Sequence, residues 1–150
     1  MKDGVDGVKH LALGGLAAAG SLLANALGGW DAGIQTLLWL MAADYLTGMV
    51  VAGVFRRSGK SESGALDSRA GFKGLCRKGA MLLAVLVAVR LDALAGEGQY
   101  ARTAVVLFFA GNEGLSILEN LGLMGVPYPP FLRQALEVFV KKGGKGPEDV

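Results

Sequence analysis

The sequence predicts an all-α fold: an integral membrane helical bundle of three to four transmembrane helices plus a C-terminal amphipathic helix. Three observations carry that expectation. The chain of 150 residues is 52% hydrophobic and only 19% charged, with a positive mean hydropathy, which is more apolar surface than so small a soluble body can bury. Its apolar residues gather into four runs, at 11–29, 32–55, 79–95 and 103–124. Basic residues gather outside those runs, above all at 56–78. Residues 1–150 are expected to form a single membrane domain.

Composition also narrows function. The single cysteine, Cys76, excludes an internal disulfide and a cysteine-based metal site, and the single histidine, His10, cannot complete a histidine cluster. A formal net charge of +2 provides no global basic field for nucleic acid. No nucleophile and base pair stands out, and Gly14, Gly15, Gly28 and Gly29 lie in or beside an apolar run rather than in a phosphate-binding loop. The expectation is no enzyme, no cofactor, no metal and no nucleic acid.

The first run, "LALGGLAAAGSLLANALGG", is uncharged for nineteen residues, roughly 28 Å of helix and close to a hydrocarbon core. At about 100° per residue, Gly14, Ala18, Ser21, Asn25 and Gly28 share one side and Leu13, Leu16, Leu23 and Leu27 the other. The leucine side suits lipid; the small, weakly polar side suits either another helix or water. This run either spans or lies along the interface. It also resembles a secretory signal ending in Ala24, Asn25 and Ala26, although Asp3 and Asp6 spoil the basic leader.

The second run is the strongest span, with Asp44 as its only charge and Trp39 and Tyr45 as aromatic weight. Asp44, Thr47 and Gly48 share a face at i, i+3 and i+4, joining an ionisable group, a hydroxyl and a glycine that permits close backbone approach. Asp44 is either a functional group or a buried carboxylate satisfied by a neighbouring Thr or Asn. The third run is short, and Arg90 and Asp92 fall near its far end.

Residues 56–78, "RRSGKSESGALDSRAGFKGLCRK", hold seven basic residues against Glu62 and Asp67, and their Gly and Ser content predicts a loop. Such a loop stays cytoplasmic. If all four runs span, both termini are cytoplasmic, and every lysine falls on that side.

The fourth run opens as "TAVVLFFAG" and then turns polar. Asn112, Ser116 and Glu119 recur at i, i+4 and i+7, with Glu113 and Asn120 beside them, so the five share about a third of the helix circumference. A carboxylate at the bilayer centre costs about 2.5 to 3.5 kcal/mol, so these groups are expected to face a bundle interior, a subunit contact or water. The alternative is a helix near the interface with its polar face among headgroups. Pro127, Pro129 and Pro130 then stop the helix, and residues 131–142 can restart as an amphipathic one, with Phe131, Leu132, Ala135, Leu136 and Phe139 on its apolar side. It is expected to lie on the inner leaflet, with Lys141, Lys142 and Lys145 toward anionic lipid or solvent.

The order "ADYLTG" (43–48), "LDSRAGFKGLCRKGA" (66–80) and "NEGLSILENLGLMGVPYPPFL" (112–132) resembles the toxin-secretion and phage-lysis holin family, over roughly residues 34–140. Carried over by position are Asp44 and Gly48; Ser68, Gly71, Gly74 and Lys78 of the basic loop; Glu113, Ser116, Glu119 and Asn120; and Pro127 and Pro130. The resemblance implies a protein of the bacterial cytoplasmic membrane that self-associates and opens lesions. An endolysin, or in some relatives a toxin, crosses them without direct contact being required.

Helices whose polar faces can be satisfied within one subunit or between subunits can exchange a closed packing for a wet oligomer. Membrane potential could bias such a switch through Asp44 and Glu113, at about 2.3 kcal/mol per charge per 100 mV. Two other classes suit some of the same features. A small dimeric proton-coupled multidrug transporter would also carry an intramembrane carboxylate with aromatic neighbours, and a structural membrane anchor would need only the apolar runs.

Overall fold

The computed structural model describes residues 2–61, 63–96 and 98–144, and side chains from residue 6 onward. Lys145, Glu62 and the side chain of Lys2, which entered the charge pattern above, lie outside the described residues. The elements are α1 (Lys2–Ala26), α2 (Ala32–Val50) continued by a π-helical turn (Val51–Phe55), α3 (Ser68–Ala95), α4 (Tyr100–Leu123) and α5 (Pro130–Gly143).

Local chemistry sets the boundaries. Asp31 caps α2, its carboxylate accepting from the Ile34 amide at 2.9 Å. Arg56, with φ of 52°, ends the π turn, and Asp67 opens α3 by accepting from the Arg69 amide at 2.8 Å. That cap corrects the loop expected at 56–78: the helix begins at Ser68, so Ser68, Gly71, Gly74 and Lys78 are helical. Gly71 and Gly74, one turn apart, lie against the ring of Tyr45 on α2. Gly96, with φ of 73°, closes α3 in the left-handed conformation. The amides that open α4 are capped across the turn by Asp92 of α3, whose two oxygens accept from Ala101 and Arg102 at 2.8 Å each.

The core lies where α2, α3 and α4 meet. Ile34, Leu37 and Met41 of α2, Met81 and Val85 of α3, and Val106 and Ala110 of α4 form one buried cluster. Spacing of three and four residues on each helix produces these seams. By contrast α1 leaves Leu11, Leu13, Leu16, Leu22 and Leu23 exposed, and only Leu27 just beyond it packs against the core.

Among the described residues, three helical stretches are long and apolar enough to cross a membrane: Asp6–Ala26, Ala32–Phe55 and Tyr100–Leu123. α3 is 28 residues long, but basic residues at its start and Arg90 and Asp92 near its end break its apolar run.

The tail differs most from expectation. Instead of leaving the bundle to lie on a surface, α5 turns back and packs along α4. A Cβ on Gly114 would sit 2.6 Å from Leu136 Cδ2, one on Gly111 would sit 2.8 Å from Val140 Cγ2, and Gly143 abuts Ala104 and Phe108. Glycine on both helices lets the backbones approach where a side chain would hold them apart. Lys142 therefore shares a cleft with Gln99, Tyr100 and Thr103. Arg57 of the basic loop donates to the Leu123 carbonyl at 3.4 Å, at the opposite end of α4. Lys142 and Arg57 of the basic loop thus lie at opposite ends of α4.

Candidate functional site

Two polar centres tie the bundle together, one in its interior and one at its far end. The interior centre continues the apolar seams. Asp44 lies three residues beyond Met41, Lys78 three before Met81, and Glu113 three beyond Ala110, so each helix turns a polar group to the same axis as its core residues. Lys78 Nζ donates to Asp44 Oδ2 at 2.8 Å and to Glu113 Oε2. Asn120 Nδ2 donates to Asp44 Oδ1 at 3.2 Å and to Thr47 Oγ1 at 2.9 Å. The Thr47 hydroxyl in turn donates to the Ala43 carbonyl at 2.8 Å.

Asp44 is 5% and Glu113 4% exposed, so neither is hydrated from outside. The single Lys78 nitrogen between the two carboxyl groups gives each of them a donor. Among the described residues, every buried side-chain nitrogen and oxygen has a partner. Removing one member of such a set costs about 3 to 5 kcal/mol, because the others remain buried without it.

The far-end centre is built on Arg102, 3% exposed. Its Nε donates to the Leu27 carbonyl at 2.6 Å, Nη1 to Asp31 Oδ2 at 2.6 Å and to Gln99 Oε1 at 3.2 Å, and Nη2 to the Gly29 carbonyl at 3.4 Å. The guanidinium thus ties the α1–α2 turn to the α3–α4 turn. Gly28, with φ of +86°, leaves room for it: a Cβ there would lie 2.6 Å from Arg102 Nε. The Arg102 guanidinium and then the Ile34 amide hold the Asp31 carboxyl at about 2, below its ordinary 3.8.

Of the residues singled out in the sequence, Asp44, Thr47, Lys78, Glu113 and Asn120 meet in the interior. Ser116 is half-buried with its hydroxyl beside the Asp44 carboxylate, Asn112 is half-buried and Glu119 is exposed, so the polar arc of α4 divides between the interior and an outer strip. Asn25 is exposed at the end of α1, apart from both centres. Gly48 is not forced by space, since a Cβ there would meet Asn120 at 3.8 Å, an ordinary contact. Ser68 is exposed, as are Lys141 and Lys142.

The sequence pattern places Lys78 in a loop and carries no mark of the Arg102 centre. The signal for Lys78 was available: with Met81, Val85 and Ala88 it forms one stripe at i, i+3, i+7 and i+10. No comparable pattern links Arg102 to Asp31.

A family model described as the bacteriophage holin family matches residues 21–141. An uncharacterised protein of Clostridium perfringens strain 13 is 42% identical over 124 residues, 82% of this chain and 86% of its own length. An uncharacterised protein of Listeria monocytogenes is 32% identical over 134 residues, 89% of this chain and 90% of its own. A protein of Bacillus phage phi105 named as a probable holin is 34% identical over 105 residues, 70% of this chain and 72% of its own. No solved structure matches the chain significantly.

Proposed function

We propose, on the premise that this chain belongs to the bacteriophage holin family, that it acts as a holin of the bacterial cytoplasmic membrane. The observation that carries the proposal is the family match over residues 21–141, which includes α2, α3, α4 and nearly all of α5. Copies accumulate in the membrane, associate with one another and open lesions through which an endolysin or a toxin passes.

Topology follows from charge and connection. Arg56, Arg57 and Lys60 before α3, and Arg69, Lys73 and Arg77 in its first turns, keep that end cytoplasmic. α3 packs beside α4, and only four residues separate Ala95 from Tyr100, so α3 recrosses the bilayer if α4 spans it. The exposed leucines of α1 suit a fourth pass through lipid, with the amino terminus cytoplasmic. In the closed state Lys78, Asp44 and Glu113 hold the three core helices together; their role is cohesion between helices, and no covalent chemistry is assigned to them.

The test is timed induction in a bacterium, with and without a cytosolic endolysin lacking its own export signal. Abrupt loss of viability and membrane potential, followed by rapid lysis only when endolysin is present, is the expected result. Continued growth with proton-dependent efflux of small cations would replace the holin reading with the transporter one.

A further inference from the structure

The charged face of α5 has no place in lipid. Its seam against α4 runs through Leu136, Val140 and Gly143. The pairs Leu136–Gly114 and Val140–Gly111 lie near the middle of Tyr100–Leu123, so the helix crosses the depth at which that span has its centre. There the Arg133 guanidinium donates to Glu137 Oε1 at 3.2 Å, with side chains 49% and 43% exposed. Gln134 and Lys141 are exposed as well. Charges presented to hydrocarbon at this depth are strongly disfavoured, and the same charges presented to water are not.

Helix geometry sharpens the placement. Arg133, Gln134, Glu137 and Lys141 lie on one flank of the docked seam of α5, while exposed Phe131, Ala135 and Val138 lie on the other side. On α4, Asn112 and Glu119 lie about a third of a turn from the glycine seam. For two right-handed helices packed antiparallel through these seams, both polar strips fall on the same side of the pair. Lys142 belongs to the opposite side, in agreement with its cleft beside Thr103 and Leu107.

We infer that the joint strip of Asn112 and Glu119 on α4 and Arg133, Gln134, Glu137 and Lys141 on α5 lines an aqueous lumen formed by several copies of this chain. The inference rests on the holin reading and deepens it, assigning the wet surface to the α4–α5 pair while the Asp44–Lys78–Glu113 centre stays inside each copy. Phe131, Ala135 and Val138 then face lipid or the neighbouring copy.

Cysteine accessibility in the full chain tests it. With Cys76→Ser as background, single variants Gln134→Cys, Lys141→Cys, Phe131→Cys and Val138→Cys are reconstituted in phosphatidylethanolamine and phosphatidylglycerol vesicles and treated with a membrane-impermeant thiol reagent during dye release. Gln134→Cys and Lys141→Cys are expected to react about tenfold faster than Phe131→Cys and Val138→Cys, the difference made by one unit of thiol pKa in apolar surroundings. Their reaction with a bulky reagent is expected to slow release. Equal reactivity at all four positions, or reaction at 134 and 141 that leaves release unchanged, overturns the lumen assignment while the holin reading stands. If the parent chain releases no dye, both fall.

Discussion

The two polar centres solve the same problem with different materials. Arg102 is held by backbone carbonyls and by Asp31 and Gln99 beside the helix ends, where turn geometry places its partners and water is close. Lys78 is held by side chains projecting from the middles of helices, with no backbone partner and two carboxylates for one ammonium. The far-end centre therefore belongs to the chain path itself. The interior centre depends on three helices staying side by side, so it ties closed packing to charge.

The largest expected effect comes from breaking that side-chain set. Lys78→Met leaves Asp44 and Glu113 buried together and is expected to destabilise the bundle by about 3 to 5 kcal/mol, seen as a lower midpoint in a detergent melt. Adding Asp44→Asn and Glu113→Gln is expected to recover most of that loss. At the far end, Gly28→Ala forces both an unfavourable φ and a clash with Arg102, at about 1 to 3 kcal/mol; the same melt measures it, and a loss equal to that of Lys78→Met would erase the contrast. Asn120→Ala removes the donor to Asp44 and Thr47, costing about 1 to 2 kcal/mol, and its loss should shrink in the triple neutral background because the two sites share partners.

The smallest effect is the pH response of Asp31. Its folded pKa of about 2 lies below the ordinary 3.8, so its contribution is full above about 3.8 and is lost as pH falls toward 2. Because Asp31 is 48% exposed, that contribution is under about 1 kcal/mol. Asp31→Asn should flatten the melting midpoint between those pH values, and an unchanged slope would separate Asp31 from the clasp.

What the sequence made legible followed from cost. Asp44 and Glu113 stood out because carboxylates in apolar runs need partners, and Asn120 stood out by its place beside them. Their cation did not, because glycine and serine around Lys78 imitate a loop and the cap at Asp67 outweighs them. The Arg102 clasp joins residues 71 apart through turn carbonyls, which carry no side-chain signature. The amphipathic pattern of α5 predicts an apolar side through Phe131, Leu132, Ala135, Leu136 and Phe139, whereas the seam runs through Leu136, Val140 and Gly143, because Gly111 and Gly114 on α4 supply a groove that the pattern of α5 alone does not reveal.

Lysis by the triple variant Asp44→Asn, Lys78→Met, Glu113→Gln tests most directly whether the interior centre is a device for cohesion rather than the wet path. Expressed with a cytosolic endolysin lacking an export signal and matched in membrane level to the parent, it is predicted to retain abrupt, endolysin-dependent lysis. Accumulation to that level without lysis would contradict this, and would place the charges of Asp44, Lys78 and Glu113 in the lesion itself.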